Sequence, residues 1–271
     1  MPPVFDPRPL VFAHRGGLAL RPENTRAAFD HGAGFGVDGF ECDVRLSRDR
    51  EVVVMHDATL DRTTDARGPV ADYTAAELAR VDAAARFKVE EGAPFARQGI
   101  GVPRLRDLLP RHPDMRWILE LKGEDPGLAA AVVAVVREHD ALERVCFGGF
   151  DDGVVAAVRA ACPEAITSAS TGEIRLAVYR AWLGLAPRAP RFRGYQVPER
   201  YESTRVATKR FIRVMRAAGL PVQVWTVNHE SDMRRLFEWG VQAVITDVPD
   251  LAVPVARAWQ AGAGGVGDRT L

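Results

Sequence analysis

A (β/α)8 TIM barrel with a small insertion after strand 2 is the fold this sequence predicts, from three observations. Short apolar runs alternate with longer segments of helical periodicity, the pattern of parallel strands joined by crossover helices. Eight such units fit in roughly 250 residues, the size of a closed barrel. No linker of domain-boundary composition interrupts the series, so one domain is expected over residues 8–260. A doubly wound open sheet is the alternative. It lacks its usual markers, since no Gly-x-Gly-x-x-Gly follows a strand and no Gly-Lys-Ser/Thr is present.

The elements follow in order. Residues 10–13 form a buried strand stopped by Gly16-Gly17, and its end delivers His14 and Arg15. A helix starts after Pro22, with Asn24 as the expected N-cap. The second strand spans 39–46. A turn at 47–50 leads to an additional strand over 52–55, which ends in His56. From 58 to 103 the pattern loosens, apart from a Thr74–Glu77 capping box that opens a short helix. This stretch is expected to be an insertion over one end of the domain, held by Phe87, Phe95 and Ile100. Residues 105–109 form a short helix. Strands are then expected at 117–121, 144–147, 165–169, 194–197, 222–226 and 243–246. The intervening helices cover 126–139, 151–161, 173–183, 206–218, 231–239 and 249–260. The glycine-rich residues 261–271 read as a disordered tail.

Composition narrows the function. Lys plus Arg equals Asp plus Glu, 36 each, so no global field draws the chain to nucleic acid or an anionic membrane. Cys42, Cys146 and Cys162 have no metal-type spacing and read as reduced residues of a cytosolic protein. The first residues show no secretion signal, and no apolar stretch is long enough to span a bilayer. A cytoplasmic protein acting on a small molecule is expected, with no nucleic-acid partner and no integral membrane association.

Barrel enzymes carry their sites at the C-terminal ends of the strands. Glu41 and Asp43 alternate along one strand and share a face, where two buried carboxylates repel unless a cation lies between them. Glu120 and Lys122 repeat that spacing on the next barrel strand. Three carboxylates from adjacent strands make a hard oxygen site suited to Mg²⁺ or Ca²⁺, and no zinc-type cluster competes. Arg15 and Lys122 beside it suit a phosphate group, and His14 and His56 can transfer protons on opposite sides of the phosphorus. Taken singly, each feature has a plainer reading: an edge-strand pair for Glu41 and Asp43, an ion pair for Glu120 and Lys122, a core ring for Trp225. His31, His112, His139 and His229 read as structural.

Seven ordered motifs carry a resemblance: His14-Arg15-Gly16, Pro22-Glu23-Asn24-Thr25, Glu41-x-Asp43, His56-Asp57, Arg62-Thr63-Thr64, Glu120-x-Lys122 and Val224-Trp225-Thr226-Val227-Asn228. Together the run resembles the glycerophosphodiester phosphodiesterases, over residues 10 to about 249. The resemblance implies a TIM barrel with an insertion after strand 2 and one divalent metal ion held by Glu41, Asp43 and Glu120. It implies His14 and His56 as the acid–base pair; Pro22-Glu23-Asn24-Thr25 has the plainer reading of a helix start, and Glu23 and Asn24 are kept as supporting residues, not catalytic ones. Arg15 and Lys122 would be phosphate ligands, and Trp225 a wall for the alcohol. Two positions depart from the family pattern: Gly149 stands where a serine commonly precedes Phe150, and Arg106-Asp107 replaces an acidic pair. Hydrolysis to glycerol 3-phosphate and an alcohol is the expected reaction. The rivals are a cyclic-phosphate-forming lyase of the phospholipase D kind, a catalytically silent binding barrel, and an aldolase-like barrel with Lys122 as Schiff-base nucleophile.

Overall fold

The strands that run through the middle of the molecule are apolar for a geometric reason: each is covered by helices outside and by other strand residues inside. The computed structural model describes residues 9–263. In chain order the first half comprises β1 (Leu10–His14), α1 (Arg26–Gly34), β2 (Gly39–Leu46), β3 (Val52–Val54), α2 (Ala75–Leu78), α3 (Leu105–Leu108), β4 (Arg116–Leu121), α4 (Leu128–Glu138), β5 (Val145–Gly148) and α5 (Asp152–Ala161). The second half comprises α6 (Thr171–Trp182), β6 (Tyr195–Pro198), β7 (Arg200–Tyr201), β8 (Thr204–Arg205), α7 (Lys209–Ala217), β9 (Val222–Trp225), α8 (Glu230–Trp239), β10 (Ala243–Thr246) and α9 (Pro249–Ala263).

The parallel strands lie in the order β5-β4-β2-β1-β10-β9-β6. Thr167 pairs in parallel with Phe147 of β5, and Ser168 with Gly194 just before β6, so the ring closes into a (β/α)8 barrel. The strand expected at 165–169 is reduced to these two bridges.

Period-two alternation then sorts side chains into an inner and an outer set. Leu10, Phe12, Ile118, Cys146, Ala243 and Ile245 form one buried cluster, joined by Ile166 and Trp225. These residues fill the barrel axis. One step further along the same faces come His14 after Phe12 and Glu120 after Ile118. The apolar plug therefore changes to polar chemistry at the C-terminal ends of the strands. The larger cluster, including Phe29, Phe40, Trp117 and Leu119, lies between strands and helices.

β3 pairs antiparallel with β2, outside the parallel ring, and leads into the insertion. The insertion is held by its own cluster of Val53, Met55, Leu60, Val70, Leu78 and Val102. This corrects the sequence reading, which placed the anchors at Phe87, Phe95 and Ile100. Those three remain partly exposed, and the two Phe rings meet each other at 5.7 Å, with Arg21 over Phe95 and Lys88 over Phe87.

Three boundaries also differ. Asn24 is not the N-cap of α1; Thr25 is, accepting from the Ala28 amide at 3.2 Å. Asn24 adopts φ 57, and this turn sends its side chain into the site. A β7–β8 hairpin that was not expected precedes α7, and α7 begins at Lys209 where the helix was expected from 206. The last helix continues through Ala263, so 261–263 are not tail; residues 264–271 and 1–8 lie outside the described residues. The three cysteines are free and buried. Among the described residues no helix is long and apolar enough to cross a membrane.

Candidate active site

At the polar end of the barrel a cavity of about 500 Å³ is lined by His14, Arg15, Glu41, His56, Glu120, Lys122 and Trp225. Asp43 is fully buried and tied into the same group. All eight residues singled out in the sequence thus meet at one place.

The local backbone explains how His14 and Arg15 arrive there. Gly16 has φ 86, and a Cβ at that position would sit 2.7 Å from the Cβ of Ala28, so only glycine lets the chain turn this closely over α1. Arg15 is itself left-handed, at φ 51. Its amide donates to Glu41 O at 2.9 Å and its side chain pairs with Glu23 and Asp43.

The carboxylates form the centre. Glu41, Asp43 and Glu120 offer oxygens that all lie within 4.8 Å of one another. Lys122 Nζ sits 2.6 Å from Glu120 Oε1 and 3.3 Å from Asp43 Oδ1, and Arg15 Nε is 3.2 Å from Asp43 Oδ2. Asn24 donates its amide to Asp43 Oδ2 at 2.8 Å. Burial, with the neighbouring Asp43 and Glu120 charges, pushes the Glu41 carboxyl up to about 8. Burial also raises Glu120, with Asp43 adding to it and Lys122 opposing. Two nearby cations therefore leave the three acids short of positive charge. Small size, hard oxygen donors and unmet charge all fit a divalent cation of the Mg²⁺ or Ca²⁺ kind.

Each histidine is oriented by a carboxylate on Nδ1. His14 Nδ1 bonds Asp247 Oδ1 at 2.6 Å, and its Nε2 lies 3.7 Å from Glu41 Oε2. Asp247 is held in turn by Asn228, which donates to its second oxygen at 2.7 Å. His56 Nδ1 bonds Asp57 Oδ1 at 2.6 Å, and Arg45 clamps the His56 carbonyl from Nε and Nη2 at 3.0 and 2.8 Å. The tautomer follows from these bonds: Nδ1–H faces the acid and Nε2 is left for chemistry.

The two surroundings differ in charge. Burial works against a charged His14, but Glu41 and Asp247 outweigh it and raise its pKa. Burial lowers that of His56, and Arg15 and Lys122 push the same way, against Asp43 and Asp57. Arg62 bridges the two halves. It ion-pairs with Asp57 and donates to both oxygens of Glu23 at 2.7 and 2.8 Å, while Glu23 accepts from Arg15 at 2.9 Å.

Trp225 lines the cavity and meets Phe150 edge to face at 5.6 Å; Lys122 Nζ lies 5.2 Å from the Phe150 ring centre. Gly149 lies beside Phe150 in that wall, and a Cβ added there would meet Leu121 O and Val154 Cγ1, each at 3.5 Å. Arg106 and Asp107 are elsewhere, paired with Glu138 and Arg104. Sequence reasoning missed Asp247. The signal was available, since Asp247 directly follows the end of β10, the position that singled out His14 on β1.

A closed (β/α)8 barrel that gathers acids, carboxylate-anchored histidines and cations at the C-terminal ends of its strands is built as a barrel enzyme. The glycerophosphoryl diester phosphodiesterase family profile matches residues 14–251. A glycerophosphodiester phosphodiesterase from Bacillus altitudinis is 30% identical over 90% of this chain and 97% of its own length. The crystal structure of a glycerophosphodiester phosphodiesterase from Agrobacterium tumefaciens has a TM-score of 0.75 at 27% identity, covering 91% of this chain and 99% of that one. An Oleispira antarctica phosphodiesterase, solved in complex with the product sn-glycerol-3-phosphate, has a TM-score of 0.74 at 26% identity, covering 92% and 97%. The chain belongs to the glycerophosphodiester phosphodiesterase family.

Proposed function

We propose that this protein hydrolyses glycerophosphodiesters to glycerol 3-phosphate and an alcohol, using one divalent ion, Mg²⁺ or Ca²⁺, held by Glu41, Asp43 and Glu120. The observation that carries the reading is a single cavity uniting that acidic triad, two histidines anchored through Nδ1, and the cations Arg15 and Lys122. The unit that performs the reaction is residues 8–260, including the insertion at 58–103. A cytoplasmic address fits three free, buried cysteines.

When bound, the ion supplies Lewis-acid polarisation of a phosphoryl oxygen. The protein does the rest. Arg15 and Lys122 offset the charge that builds on the phosphoryl oxygens in the transition state. Trp225 and Phe150 wall the alcohol. His56, whose carboxylate partner is already engaged by Arg62, stays neutral and removes a proton from the attacking water at Nε2. His14, held between two carboxylates, is the better proton donor and delivers its Nε2 proton to the departing alkoxide. All the motif positions for metal and proton transfer are filled, which disfavours a silent binding barrel. Lys122 is committed to Glu120 and Asp43, which disfavours a Schiff-base role.

Phosphorus NMR of glycerophosphocholine turnover tests the reaction class. The expected first product is glycerol 3-phosphate. A cyclic phosphate appearing first, and only later opening, would replace hydrolysis by intramolecular attack.

Asp247→Asn tests the positioning of His14. It should lower kcat by about 10–10²-fold, less than loss of the histidine itself. Removing a negative charge beside the imidazolium lowers the His14 pKa, so the alkaline limb of the kcat profile should move to lower pH. An unshifted profile with full activity would assign Asp247 a purely structural part.

A further inference from the structure

β2 carries a third polar residue beyond its two acids. Arg45 stands two residues past Asp43, on the same face of the strand, and is half-buried. Its guanidinium reaches two neighbouring segments at once. Nε and Nη2 both donate to His56 O, at 3.0 and 2.8 Å, and Nη1 donates to Lys122 O at 3.4 Å. The nearby acids are committed elsewhere: Asp43 to Arg15 and Lys122, Glu120 to Lys122, and Asp57 to His56 and Arg62. Burial works against the charge of Arg45, yet its hydrogen bonds go to backbone carbonyls. A cation that sheds water to hold neutral carbonyls gains little as a charge. A planar fork does fix distance and angle together, which a lysine cannot do.

His56 sits where such a constraint is needed. The β2–β3 ladder pairs Val44 with Val54 and ends there. One further backbone bond runs from the Met55 amide to Asp43 O at 2.9 Å, and His56 is the next residue before the chain enters the insertion. Asp57 turns the His56 ring through Nδ1, but it belongs to the same departing segment. Arg62 ties Asp57 to Glu23, on the loop after β1. Arg45 ties the His56 main chain itself to β2, the strand that supplies Glu41 and Asp43. We infer that Arg45 is a positioning residue, which holds the His56 base at a fixed distance from a phosphoryl group seated at the acids and acts through place rather than charge. This inference rests on the reading of His56 as the base.

A nitrophenyl ester of glycerol phosphate tests it, because its leaving group departs without a proton and turnover then reports the base step. Arg45→Met and Arg45→Lys, checked for folding by circular dichroism, are made alone and together with His56→Ala. Arg45→Met should lower kcat by about 10–10²-fold, the scale of a displacement of about 1 Å, with KM changed less than about twofold. Arg45→Lys keeps the charge without the fork and should still lose at least about fivefold; it carries the test alone if the Met variant does not fold. In the His56→Ala background either change should cost less than about twofold, since no ring is left to place. Wild-type kcat in both single variants, or an equal loss with and without His56, would overturn the positioning role and leave the phosphodiesterase standing. If His56→Ala itself turns the ester over at the wild-type rate, the base assignment falls and this role of Arg45 falls with it. If no diester is turned over with metal present, the phosphodiesterase reading falls, and imidazole ¹H–¹⁵N NMR judges the placement. Broadening or doubling of the His56 signal in Arg45→Met or Arg45→Lys, with His14 unchanged, upholds it, and unaltered spectra overturn it.

Discussion

His56→Ala and His14→Ala are each expected to lower kcat by about 10²–10⁴-fold, the range for a positioned acid or base. The proteins should stay folded, because both rings lie at the cavity and not in the apolar plug. In the proposed mechanism the two histidines act as one unit, so the double variant should lose far less than the product of the separate losses. The roles separate with the leaving group. A nitrophenyl ester needs no proton on departure, so it should restore His14→Ala toward the wild-type rate and leave His56→Ala impaired. Rescue of His56→Ala alone would exchange the roles. Wild-type hydrolysis of the natural diester by both variants would remove the histidines from the mechanism.

The other large effect is loss of the divalent ion. Activity should vanish in excess chelator after dialysis and return with Mg²⁺ or Ca²⁺; full turnover under chelation would end the metal assignment. A readout independent of activity comes from stability. In the metal-free fold the Glu41 carboxyl keeps its proton up to about pH 8, whereas an unfolded glutamate releases it near 4.5. The folded state thus binds more protons between those values, so this group's contribution is complete below the lower pKa and is lost as pH rises through 8. A bound cation displaces that proton. Metal should therefore raise Tm more at pH 8 than at pH 6. At a hundredfold excess over Kd, binding adds about 2.7 kcal/mol, roughly 5 °C for a chain of this size. An equal shift at both pH values would show that the ion does not bind at Glu41. Glu120→Gln should weaken the shift, since it leaves two acids beside an underused Lys122.

The barrel and its acids were legible because both obey the period-two rule. Glu41-x-Asp43 and Glu120-x-Lys122 are local signals, and the strands that carry them pair in register, Glu41 with Ile118 and Asp43 with Glu120. Other parts depend on partners far apart in sequence. Asn24 looks like an ordinary cap until Asp43, nineteen residues on, claims its side chain. Asp247 meets His14 only through closure of the ring, 233 residues away. Arg200-Tyr201 and Thr204-Arg205 are all exposed and carry no apolar alternation, so the hairpin left no pattern to read. The insertion misled for a related reason. Phe87 and Phe95 are its two phenylalanines, but it is the smaller Leu60, Val70 and Val102 that join β3 in one cluster.

The insertion has a miniature interior of its own, into which β3 and the residue after it send Val53 and Met55. His14 stands on the barrel, while His56 follows Met55 at the edge of that second body. The proposed acid–base pair is thus divided between two separately packed units, stitched across the seam by Arg62 between Asp57 and Glu23. Local melting of the smaller unit would pull the pair apart while the ring of strands stayed shut, so turnover can fail well before the protein unfolds.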